Sequence, residues 1–157
     1  MITTNLNSEI AVYPHPAMAN SAIQRTAPRV VRVAIIEDSR NIRQRLVQLV
    51  EDLGSMQVVG EADSEASAVA LCRDMAPDAI ILDLKLATGT GIGVLKTMRY
   101  ATAENKPVII VLTNFPSPAF ERAARALGAD WFLDKSSEFH QLRGLLLGLV
   151  APPPVAG

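Results

Sequence analysis

The sequence predicts a doubly wound α/β domain: a five-stranded parallel sheet, strand order 2-1-3-4-5, with helices on both faces. Three observations predict it. Short runs rich in Val, Ile and Leu recur along the chain, the composition of strands buried on both faces. Stretches with helical periodicity separate them, so strand and helix alternate. Ser, Gly or Pro stands at most boundaries, where caps and turns need them. Right-handed crossovers leave few topologies for such a chain, and the favoured order places a switch point between strands one and three.

Val30–Ile36 is the first strand. Ser39 can cap a helix that carries Ile42, Leu46, Leu49, Val50 and Leu53, and Gly54 suits its end. Met56–Gly60 is the second strand. Ser64 can cap a second helix with Ala68, Leu71, Cys72 and Met75 on one face, stopped by Pro77. Ala79–Leu82 is the third strand, followed by a small-residue loop, Leu86–Gly93. Val94, Leu95 and Met98 belong to a third helix that ends before Pro107. Val108–Leu112 is the fourth strand. Pro116 and Pro118 open a fourth helix with Ala119, Phe120, Ala123, Ala124 and Leu127, closed by Gly128. Trp131–Leu133 is a short fifth strand, and Ser136 or Ser137 caps a last helix from about Glu138 to Val150.

At 157 residues the chain has the size of one domain, and 49% hydrophobic residues supply a core. A net charge of −1 gives no electrostatic reason to expect nucleic acid or anionic lipid as a direct partner. Cys72 is the single cysteine, which excludes an internal disulfide and fits a reducing cytoplasm. No apolar stretch reaches the roughly 18 residues of a membrane span, so no membrane insertion is expected. No secretory leader pattern opens the chain. Residues 1–28, with Pro14, His15 and Pro16 clustered, read as a flexible extension. Residues 29–150 form the domain, and residues 151–157 are a Pro-rich tail that also resembles the start of a linker.

The strand ends carry the chemistry. In a parallel sheet they all face one crevice, where ligands bind. The first strand delivers Glu37 and Asp38, the third Asp83, the fourth Thr113 and the fifth Lys135. Neighbouring strands lie about 4.8 Å apart, so Asp38 and Asp83 come close, with Glu37 beside them. Like charges at such spacing raise each other's pKa unless a cation intervenes. Mg²⁺ suits carboxylates, waters and a phosphate oxygen, and the Lys85 backbone carbonyl is placed to add a ligand. Asp83, on the central strand, can attack phosphorus to form an aspartyl phosphate. Lys135 and the Thr113 hydroxyl would then bind the phosphoryl oxygens. Neither G-x-G-x-x-G nor a Walker A pattern is present.

From about residue 30 to 150 the chain resembles the receiver domain of two-component response regulators, with its flavodoxin-like fold. The resemblance rests on Ile35-Ile36-Glu37-Asp38-Ser39, on Ile81-Leu82-Asp83-Leu84 with Gly91 downstream, on Val111-Leu112-Thr113, and on Gly128-Ala129-Asp130 leading to Phe132 and Lys135. It implies that Asp83 accepts a phosphoryl group from a histidine kinase or a histidine phosphotransfer protein. It implies that Glu37 and Asp38 bind Mg²⁺ and that Thr113 follows the phosphoryl group. Phe132 is placed like the family's switch aromatic, though it reads equally as a core residue. The output surface would be the fourth helix, fifth strand and fifth helix, meeting a downstream protein partner or a second copy of the chain.

Three positions depart from the family pattern. Ser136 stands where proline commonly follows the lysine, so a trans Lys135–Ser136 bond is expected, cis non-proline costing about 2.5–4 kcal/mol. Ala87 replaces a common proline four residues after Asp83, and Asn114 replaces a small residue after Thr113. Asn114 and Lys85 border the site and are expected to tune the lifetime of the acyl phosphate.

Other readings remain beside this one. An aspartyl-phosphate phosphatase or phosphotransferase also uses an Asp after an apolar strand. Haloacid-dehalogenase-like enzymes carry a second acid two residues on, where this chain has Lys85. A phosphorylation-independent interaction domain would be expected to lack the acceptor, an acid or the lysine, and none is missing. His15 and His140 have no partner at metal-ligand spacing, Cys72 reads as inert core, and Trp131 as packing. The apolar last helix, with Phe139, Leu142, Leu145, Leu146 and Leu149 as a stripe and Leu147 and Val150 off it, is either core or interface; Gly144 and Gly148 are a weak sign of close helix packing. With no room for an output domain after residue 150, output is expected through protein contact.

Overall fold

Strands β1 (Val31–Ile36), β2 (Met56–Ala62), β3 (Ala79–Leu82), β4 (Val108–Thr113) and β5 (Trp131–Asp134) form one parallel sheet in the order β2-β1-β3-β4-β5. Helices α1 (Arg40–Asp52), α2 (Glu65–Met75), α3 (Gly91–Arg99), α4 (Pro118–Ala126) and α5 (Phe139–Val150) alternate with them. The computed structural model describes residues 29–99 and 106–150. The expected flexible extension, the Pro-rich tail and the chain leading from α3 to Pro107 lie outside the described residues. No helix among the described residues is long and apolar enough to cross a membrane.

Strand alternation divides the core into two. Val33, Ile35, Ala79, Ile81, Ile110, Leu112 and Leu133 face α1 and α5, where Leu46, Val50, Leu142 and Leu146 are buried. Ala34, Ile36, Ile80, Leu82, Ile109, Val111 and Phe132 face Ala68 of α2, Val94 and Leu95 of α3 and Ala124 of α4. Each fully buried Leu or Ile contributes about 1.5–3 kcal/mol of transfer free energy, which drives the helices onto the sheet. The expected helix starts hold for three helices. Ser39 accepts from the Ile42 N–H, Ser64 forms a reciprocal capping box with Ser67, and Ser117 caps α4 with Pro118 as its first residue. Gly54, past the end of α1, has φ +71°, a conformation that a side chain would oppose.

Several boundaries differ from the sequence expectation. β2 runs two residues beyond Gly60: a bulge at Val59, opposite Val33 and Ala34, resets the register, and Glu61 and Ala62 pair with Ile35 and Ile36. Helix α3 starts at Gly91, inside the expected loop, since the Thr90 hydroxyl accepts from the Gly93 N–H and caps it. Helix α5 starts at Phe139; Ser136 turns its N–H and hydroxyl onto the Asp134 carboxylate. The Lys135–Ser136 bond is trans, as expected.

Some side chains face differently as well. Met75, placed on the apolar face of its helix, and Trp131, expected to pack, are 36% and 44% exposed, and Phe120 is 47% exposed. Phe120 lies in the first turn of α4. Trp131 begins the edge strand, and Met75 ends α2. Val150, expected to fall away from the core, packs against it beside Leu149. Cys72 is half-buried against the core, and burial pushes its thiol up to about 11, so it stays a thiol at neutral pH.

Candidate functional site

Register places the polar residues. Ile36, Leu82, Val111 and Phe132 are successive partners across four strands. One residue beyond that row, β1 and β3 deliver Glu37 and Asp83; the Asp83 N–H donates to the Ile36 carbonyl at 2.9 Å. Two residues beyond it, β4 delivers Thr113, whose carbonyl accepts from the Lys135 N–H at 2.9 Å. Four residues distant in sequence, with Asp38 next to Glu37, therefore line one crevice at the carboxyl ends of the strands, at the point where chain order reverses around β1 and β3.

Lys135 is the hub. Its Nζ lies 2.5 Å from Glu37 Oε2 and 2.8 Å from Asp83 Oδ2, and all three side chains are at most 6% exposed. The other Glu37 oxygen accepts from the Ser39 N–H at 3.1 Å, and Asp83 Oδ1 from the Lys85 N–H at 3.3 Å. Asp38 is half-buried beside them, and one oxygen from each of Glu37, Asp38 and Asp83 lies within 4.8 Å of the others. Three convergent carboxylates are the hard oxygen donors that a small divalent cation takes. The residues present therefore fit such an ion.

Electrostatics point the same way. Burial pushes the Glu37 carboxyl up to about 7; the Lys135 hydrogen bond opposes that rise and the Asp83 charge adds to it. Burial disfavours the Lys135 ammonium, yet its hydrogen bonds to Asp83 and Glu37 and their charges outweigh that, leaving its pKa above the usual value. One ammonium thus pairs with two of the three acids, and the crevice is short of positive charge.

Thr113 is fully buried, and its hydroxyl accepts from the Phe115 N–H at 3.2 Å. Phe132 is buried on the same face of the sheet; its register partner is Val111, two residues before Thr113, so Thr113 is its diagonal neighbour. Lys85 and Asn114 are exposed at the rim, where Lys85 Nζ lies 5.4 Å from the centroid of the Phe115 ring. All five strand-end residues thus share one crevice, with Lys85 and Asn114 beside it.

Sequence reasoning missed Arg43. From α1 it donates to the Glu37 carbonyl at 2.8 Å and pairs with Glu61 at 3.1 Å, fixing the turn that carries Glu37 and Asp38. One helical turn past Ser39, it carried only the signal of a solvated face. Asp130 was quoted as part of a motif without a role; its carboxylate accepts from the Ile109 N–H at 2.9 Å and locks the start of β5 to β4.

Gly91 is buried because the backbone passes it closely. Its N–H donates to the Leu84 carbonyl at 2.9 Å. A Cβ there would collide with the Asp83 carbonyl oxygen and lie 2.8 Å from Leu84 Cα. Gly91→Ala must push the Asp83 segment aside, and a cost of about 2–3 kcal/mol is expected from urea unfolding. A loss under about 0.5 kcal/mol would show that the segment yields freely.

The profile of the response regulator receiver domain matches residues 33–146. The photosynthetic apparatus regulatory protein RegA of Rhodovulum sulfidophilum is 31% identical over 122 residues, which cover 76% of this chain and 64% of that protein. The response regulator GacA of Pseudomonas aeruginosa is 24% identical over 114 residues, 72% of this chain and 52% of that protein. The chain thus spans less than two thirds of these relatives. Among solved structures, the signal receiver domain of NarL from Mycobacterium tuberculosis superposes with a TM-score of 0.70 at 29% identity, covering 78% of this chain and 98% of that domain.

Proposed function

The chain belongs to the response regulator receiver family, and from that premise we propose that it accepts a phosphoryl group on Asp83 and thereby switches a protein-binding face. The observation that carries this reading is the crevice itself: Lys135 bridges Asp83 and Glu37 at 2.8 and 2.5 Å, with Asp38 alongside.

The donor is a phosphohistidine on a histidine kinase or phosphotransfer protein. An Asp83 carboxylate oxygen forms a bond to phosphorus as the bond from phosphorus to the imidazole nitrogen breaks, and the nitrogen leaves with that electron pair. Glu37, Asp38, Asp83 and the Lys85 backbone carbonyl would hold Mg²⁺, which would neutralise charge on the phosphoryl oxygens. Lys135 already touches Asp83 and is placed to follow one of those oxygens. The Thr113 hydroxyl accepts from Phe115, which leaves its hydrogen to donate to another. That movement would be felt by Phe132, its diagonal neighbour, and passed to α4, β5 and α5. Phe120, Trp131 and Leu147, one on each of these elements, are 47%, 44% and 45% exposed and offer apolar contact to a downstream protein.

The test is intact mass after incubation with acetyl phosphate. One phosphoryl group per chain is expected with Mg²⁺ and none with EDTA; an unchanged mass in both ends the proposal. At the rim, Lys85 and Asn114 are proposed to set the lifetime of the acyl phosphate by crowding the attacking water. Asn114→Ala is expected to change the decay rate of the phosphorylated form, and an unaltered rate removes Asn114 from that role.

A further inference from the structure

We infer that Glu65 is a positioning residue for the phosphorylation site, tying the start of α2 to the loop that descends from Asp83. The inference rests on the function proposed above. Glu65 reads at first as an ordinary acid in the first turn of α2. Its contacts say more. Its Oε2 accepts from the Thr90 N–H at 2.9 Å, while its own N–H donates to the Thr88 carbonyl at 2.9 Å. Next to it, the Ala87 N–H donates to the Asp63 carbonyl at 2.9 Å.

Two glycines make room for this side chain. A Cβ on Gly89 would collide with the Glu65 side chain, and one on Gly93 with its carboxylate. Gly89 also has φ +76°. Glu65, Gly89 and Gly93 therefore act as one fitting, a carboxylate seated against bare backbone at the entry to α3.

The fitting leads to the site in two steps. Thr90 pairs with Lys85 in an isolated antiparallel bridge. The Lys85 N–H reaches Asp83 Oδ1 at 3.3 Å, and its carbonyl is the proposed metal ligand. Holding Thr90 therefore holds Lys85. Ala87, in the middle of this loop, carries no ring to fix its own φ, so contacts such as those of Glu65 supply the restraint.

The experiment is calorimetric titration of the full chain with Mg²⁺, beside the rate of phosphorylation by acetyl phosphate at saturating Mg²⁺. Glu65→Ala is expected to raise the half-saturating Mg²⁺ concentration about threefold to tenfold, part of the worth of one charge-assisted hydrogen bond, and to leave the saturated rate within about twofold. Glu65→Gln keeps an acceptor for Thr90 and loses only the charge, so it is expected to restore most of the wild-type affinity. Gly93→Ala is expected to reproduce the loss, and the double variant to add nothing further, because both break one contact. Unaltered Mg²⁺ affinity in a folded Glu65→Ala overturns the inference, as does Glu65→Gln behaving like Glu65→Ala, which would make the charge and not the tether responsible. A wild-type chain that binds no Mg²⁺ overturns the underlying function and this inference with it. One that binds Mg²⁺ but takes up no phosphoryl group overturns the function and reduces the inference to Glu65 positioning a metal site.

Discussion

Asp83→Asn is expected to gain no mass from acetyl phosphate and Mg²⁺, and to unfold at a higher temperature than the wild type when metal is withheld. The first effect is chemical: an amide oxygen is a poor nucleophile toward phosphorus, and no other carboxylate shares Asp83's place on the central strand. The second is electrostatic. In the metal-free crevice Lys135 divides its charge between Asp83 and Glu37, and the Asp83 charge is one of the causes that raise Glu37. Asparagine keeps an acceptor for Lys135 and for the Lys85 N–H but removes a buried negative charge, which leaves Glu37 as the principal partner of the ammonium. A gain of about 1–2 kcal/mol is expected in EDTA, shrinking as Mg²⁺ stabilises the wild type. Thermal melts with EDTA and with Mg²⁺ test this. A melting temperature below wild type in EDTA would mean that Asp83 is a net support of the fold. A phosphoryl gain by the variant would place the acceptor elsewhere.

The sheet and the members of the crevice were legible in the sequence because both follow from backbone periodicity. Apolar runs locate strands, and the residue that follows each run must stand at a strand end, so Glu37, Asp83, Thr113 and Lys135 could be placed without knowing a single contact. Side-chain reach was less legible. Lys135 was expected to serve a phosphoryl group; its simultaneous hold on Glu37 depends on the distance across two intervening strands, which no local pattern encodes. Glu61 was lost because Gly60 reads as a terminator, whereas the strand bulges at Val59 and continues through Gly60. With Glu61 unplaced, Arg43 had no visible partner. Trp131 was read as packing on hydrophobicity alone, yet it begins the edge strand and is exposed. Glu65 shows the same limit from the other side. Its glycine seats are ordinary loop glycines in sequence, and only the fold brings a residue 25 positions away from Thr90 into contact with it.

Lys135→Met is expected to destabilise the metal-free protein by about 3–5 kcal/mol, because it breaks a buried ion cluster on one side only. Methionine fills much of the space of the lysine stem, so lost packing is a minor part of the effect. The carboxylates are the larger part: Glu37 and Asp83 are 2% and 6% exposed at the side chain and lose the ammonium that both contact. Each must then be protonated or drag water into the crevice. Mg²⁺ offers positive charge to the same oxygens, so the deficit is expected to fall by at least about half when urea unfolding is repeated at saturating Mg²⁺. Phosphorylation at saturating Mg²⁺ should still be slower than in the wild type, since no ammonium remains to bind a phosphoryl oxygen. The double variant Asp83→Asn, Lys135→Met supplies the control. With one carboxylate already neutral, removing the ammonium should cost distinctly less than in the single variant, and the difference measures the coupling across the cluster. Equal costs in both backgrounds, or a deficit that Mg²⁺ does not reduce, would show that Lys135 supports the fold through packing and not through charge.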